Sequence, residues 1–174
     1  MNMKLIVSLI ILFSMASVNL YSQECQTVKK ENYVFSTSES ETIRYKFPTH
    51  INDLVMDRSE ARFSEVFFVV IDPGKAPPLH KHDDTEQLFY VTEGSGMLTI
   101  GDENPEKFKV AAGDLVRIPV GAWHSIEADA SGTMKYLAID CFGGIRNEDE
   151  PTWDSHVRVL CKEQGWDYNT VIKK

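Results

Sequence analysis

The chain carries no apolar run long enough to cross a membrane. Near its start, the largely apolar run from Leu5 to Phe13 spans nine residues, against the roughly 20 that a membrane-spanning helix requires. Lys4 stands ahead of it and small and polar residues follow, the layout of a secretory leader. A buried first strand is the alternative for such a run, but its place at the extreme N-terminus favours export. Cleavage is expected near Ser22, so residues 1–22 form the leader and the mature chain is periplasmic or secreted. Cys25 follows Glu24 rather than a small residue, which argues against lipid attachment.

Basic residues are scarce as well. Lys and Arg number 18 against 26 Asp and Glu, for a net charge of -8, and loss of the leader removes one more lysine. An acidic surface opposes nucleic acid and anionic membranes as partners, which leaves a small molecule as the expected ligand. Cysteine is limited to Cys25, Cys141 and Cys161, and none has zinc-ribbon spacing. In an exported chain one disulfide plus an odd thiol is the simplest count. All three pairings are open; Cys141 with Cys161 is preferred, because the last strand ends at one and the tail can bring the other back.

Internal repeats and low-complexity segments are absent, and no helical period separates the strand candidates. Those candidates are residues 42–47, 64–71, 87–93, 96–101, 107–111, 114–119, 124–128 and 134–140, with Gly, Pro, Asn, Asp or Ser in the turns between them. Short strands at even spacing predict an all-β sandwich or barrel. Residues 23–60 read as a polar arm with a first strand, 61–141 as the barrel, and 142–174 as a tail. Within the tail, residues 155–164 have a helical period that stops at Gly165, predicting one short helix on the outside of the barrel.

His80 and His82 are two apart, so on extended backbone both face the same way and can chelate one metal ion. His124 follows a Pro-x-Gly turn at the start of another strand. His50 and His156 lack any ligand spacing and read as surface residues.

These residues resemble the two motifs of the cupin family. Gly74, His80, His82 and Gly94 keep the spacing of the first motif; Gly113, Pro119, Gly121 and His124 keep that of the second, whose final Asn is Ala128 here. The resemblance covers about residues 64–141. It implies a double-stranded β-helix, a jelly-roll barrel, with His80, His82, His124 and a motif carboxylate around one divalent metal: Fe, Mn, Zn, Ni or Cu. It also makes a homodimer possible.

The motif carboxylate is where this sequence departs. Counting forward from His82 reaches Glu86, whereas counting back from Gly94 reaches Gln87. Strand alternation puts Gln87 with Phe89 and Val91 and favours Gln87 as fourth ligand, with Glu86 as a base nearby or a solvated loop acid. Tyr136 is a candidate acid or base beside the metal, Trp123 a candidate wall. The resemblance implies a metal-dependent enzyme of dioxygenase, isomerase or lyase type acting on a small oxygen-rich molecule. The alternative is a non-catalytic sugar- or small-molecule-binding barrel with a structural or ligand-bridging metal.

Overall fold

The structure is a computed structural model that describes residues 33–144 and 146–173. The expected leader, Cys25 and the first part of the arm lie outside the described residues. Each segment read as a strand forms one: β1 (Ile43–Lys46), β3 (Ser64–Ile71), β4 (Thr85–Glu93), β5 (Ser95–Ile100), β6 (Glu106–Ala111), β7 (Leu115–Ile118), β8 (His124–Ala128) and β9 (Met134–Phe142). Two more were not expected, β2 (Ile51–Met56) and the short β10 (Ile172–Lys173). β2 escapes pattern reading because Asn52 and Asp53 break its apolar alternation, yet both are buried. Asp53 is satisfied by a bidentate pair of bonds from Arg44, at 2.6 and 2.8 Å.

The strands form two antiparallel sheets, one ordered β10-β1-β2-β3-β9-β4-β7 and the other β6-β5-β8. Phe67, Val69, Phe89, Val91, Tyr136 and Ala138 of the large sheet share one buried core with Leu98, Val110, Ile126 and Ala128 of the small one. This is the all-β jelly-roll barrel expected, and its strands alternate inward and outward as a half-buried sheet must. Gly94 sits between β4 and β5 at φ +73°, where an added Cβ would lie 2.2 Å from the Thr133 carbonyl oxygen, so no larger residue fits that turn.

The tail departs from expectation. Helix α1 (Trp153–Gln164) begins two residues early, capped by Thr152 in a reciprocal box with Ser155, and stops at Gly165 in the left-handed conformation. It does not lie on the outside of the barrel. Trp153 packs on the inward-facing Phe67, with ring centroids 4.5 Å apart, and its backbone N–H donates to Asp57. A single turn, α2 (Tyr168–Val171), follows.

The cysteine preference is also corrected, since no disulfide joins Cys141 to Cys161 among the described residues. On β9 the inward residues are Ala138, Asp140 and Phe142, so Cys141 faces outward. Cys161 is buried with Trp153 and Val157 on the helix face that covers the inner side. The sheet itself stands between the two sulfurs.

Candidate functional site

Backbone pairing brings the three motif histidines together. His80 and His124 exchange both N–H to carbonyl bonds, at 3.2 and 2.8 Å, and the Gly121 N–H donates to the His82 carbonyl at 2.7 Å. Ring centroids are 4.3 Å apart for His80 and His124, and 5.0 Å for His80 and His82. One ring nitrogen from each of the three lies within 4.8 Å of the others, an arrangement that can hold one metal ion.

The rings are tuned for that task. Nδ1 of His80 and of His124 lies 2.8 and 3.0 Å from the carbonyl oxygens of Pro78 and Ala122. Donation to those carbonyls fixes the tautomer and leaves the Nε2 lone pair free. Burial lowers the pKa of all three, His124 to about 4, so the imidazoles are neutral near pH 7.

Gln87, on β4, lines one cavity with these histidines. Its Nε2 donates to Asp140 Oδ1 at 2.7 Å, an orientation that turns Oε1 away from Asp140. Among these four side chains, three buried polar atoms have no hydrogen-bond partner within the described residues: His82 Nε2, His124 Nε2 and Gln87 Oε1. An unmet buried acceptor costs about 1–3 kcal/mol, and a divalent cation accepts lone pairs from imidazole nitrogen and amide oxygen alike. The donor set therefore fits a metal.

These groups open into a cavity of about 500 Å³ between the sheets and α1. Behind Gln87, one row of inward side chains crosses three strands, since Gln87 is paired with Asp140 and Asp140 with Glu65. Arg58 closes the row with two bonds of 2.8 Å to Glu65. Burial, reinforced by the Glu65 charge, pushes the Asp140 carboxyl well above its ordinary range.

Residues 67–140 match the cupin domain family. An uncharacterized protein of Methanocaldococcus jannaschii is 35% identical over 68 residues, covering 39% of this chain and 52% of that one. Acireductone dioxygenase of Danio rerio is 30% identical over 113 residues, 58% of each chain. The chain thus spans little more than half the length of these relatives. A structure of Bacillus subtilis oxalate decarboxylase superposes with a TM-score of 0.57 over 83% of this chain and 39% of that one, at 23% identity, a likeness of fold. Residues 67–140 of this chain form a cupin domain.

Other expected residues of this cupin are placed differently. Glu86 points outward, where its Oε2 meets the exposed Arg117 Nη2 at 2.6 Å, and it does not line the cavity. The base expected there is corrected on that ground: β4 alternates, so two consecutive residues cannot both face the metal end. Trp123 lies outside the cavity beside Lys81, so it does not wall the site. Tyr136 does line it, fully buried and 4.8 Å from the Phe89 ring centroid. Burial, then the Asp140 charge, raises its phenol, so at neutral pH it holds its proton and can donate but not accept one.

The two histidines read as surface residues both line the cavity. His50 is buried in the β1–β2 turn and stacked on Phe47 at 4.6 Å, and desolvation lowers its pKa to about 3. His156, on α1, lies 6.3 Å from His82 by ring centroid and hydrogen-bonds Glu150 through Nδ1 at 2.5 Å. Neither has ligand spacing in the sequence. A helical reading that placed His156 on the same stripe as Trp153 and Leu160 was the one available signal.

Proposed function

We propose that this cupin is an exported metal-dependent enzyme acting on a small oxygen-rich organic molecule bound in the barrel cavity. His80, His82, His124 and the Gln87 amide oxygen hold the ion. The observation that carries this reading is the cluster of three histidines whose ring nitrogens lie within 4.8 Å of one another, lining one cavity with Gln87, whose buried amide oxygen has no partner among the described residues. The dioxygenase relative supports the class of chemistry. A bound divalent ion supplies Lewis-acid polarisation of a substrate oxygen.

The chain's own side chains do the rest. Asp140 holds the Gln87 amide in one orientation. Phe67, Phe89 and Trp153 wall the cavity and limit water, and the Tyr136 phenol offers a hydrogen to a ligand oxygen. Gln87 is an amide, Glu86 faces away, and among the described residues no carboxylate joins the three histidines, which distinguishes this site from a two-histidine-one-carboxylate oxygenase centre.

Metal analysis of purified protein tests the reading. About one ion per chain is expected, lost in His80→Ala and His124→Ala, with turnover of small oxygen-rich substrates lost in parallel. Unchanged metal content in both variants excludes this site. Binding of such molecules without turnover excludes the enzyme.

A further inference from the structure

Two residues that line the cavity outside the proposed metal set each carry an unpartnered, buried polar atom. Asn52, on β2, is 5% exposed, and its Oδ1 is buried with no hydrogen-bond partner among the described residues. Trp153, at the start of α1, is 3% exposed, and its Nε1–H is likewise buried and unpartnered. Both residues line the cavity. Tyr45 links them: it is the cross-strand partner of Asn52, and its ring lies 6.2 Å from that of Trp153.

One atom is an acceptor and the other a donor. A hydroxyl is the small uncharged group that can donate to the first and accept from the second. A carboxylate cannot donate to Asn52, and an ammonium cannot accept from Trp153. The charges around the cavity point the same way. Arg58 is held by Glu65 and Glu150, and Lys81 by Asp83, so among the described lining residues both Lys and Arg side chains already hold a carboxylate. Asp84 and Glu163 add further negative charge to the lining.

We propose that Asn52 and Trp153 form a hydroxyl-binding subsite, which selects an uncharged hydroxylated ligand over carboxylate or phosphate analogues. This rests on the cavity being the substrate site. Val69 and Phe67, the neighbours of this pair on β3, give the body of the ligand an apolar wall.

Calorimetric titration of the metal-bearing protein with resorcinol, its mono- and dimethyl ethers and isophthalate tests it. Resorcinol should bind tightest, with the dimethyl ether and isophthalate weaker by about tenfold or more. Asn52→Leu, which fills the same space without an acceptor, should weaken resorcinol by about tenfold and leave the dimethyl ether unchanged. Trp153→Phe should weaken resorcinol too, while Asn52→Asp should retain it. Melting curves and metal content are measured on each variant. Resorcinol binding equal to the parent in a folded, metal-bearing Asn52→Leu protein overturns the subsite alone, as does tighter binding of isophthalate than resorcinol. A parent that holds no metal and binds no resorcinol overturns the reading of the site and the subsite with it.

Discussion

Glu86 and Gln87 are neighbours on β4, and the pleat separates their surroundings. Glu86 turns to solvent and pairs with Arg117, an exposed contact that water and salt screen. Gln87 turns inward, and its amide is fixed by Asp140 within a row that ends at Arg58. The charged residue sits where charge is cheap, and the neutral one where a charge would face two buried carboxyls. Low-dielectric surroundings make identity at the inner position matter far more than at the outer one.

The strongest way to break this contrast is Gln87→Glu. It sets a carboxylate against Asp140 where an N–H now donates, and should cost the metal-free protein about 3 kcal/mol in chemical denaturation. Added metal should recover much of that loss. Gln87→Leu removes the amide oxygen and leaves Asp140 without its donor. Metal affinity, read by competition with a chelator, should fall about 10- to 100-fold.

His50 extends the comparison to pH. Its folded pKa of about 3 lies below the ordinary 6.5, so the unfolded chain binds the extra proton more readily. Its stabilising contribution is complete above pH 6.5 and is lost as pH falls from there towards 3, with a slope of up to about 1.4 kcal/mol per pH unit. Melting curves across that window should be flatter for His50→Gln than for the parent. The smallest effect belongs to Glu86→Gln, for which metal content, turnover and melting temperature should all match the parent. A clear loss of turnover in that variant would put the base back on the outer face.

Much of this arrangement was legible because it is written locally. His-x-His spacing, the Pro-x-Gly turn before His124 and the alternation of β4 each need only a few consecutive residues. The opposite facing of Glu86 and Gln87 follows from that alternation. What was missed depends on distant contacts. Asn52 and Asp53 hid β2 because buried polar residues look like loop until their partners are known. His50 and His156 reach the cavity only after the β1–β2 turn and α1 fold over it, and the path of α1 also misled the cysteine pairing.

The cavity is built from two stretches of different standing. The motif histidines, Gln87 and Asp140 all fall within residues 67–140, the stretch that matches the cupin domain. His50, Asn52, Arg58, Glu150, Trp153 and His156 come from the chain on either side of it. On the function proposed above, the metal-holding residues fall in the matched stretch while much of the ligand-facing wall comes from the flanks, so the flanks could diverge to admit new ligands while the metal-holding strands stay fixed. A chimera that grafts other flanks onto residues 67–140 would change the guest and leave the reactive centre in place.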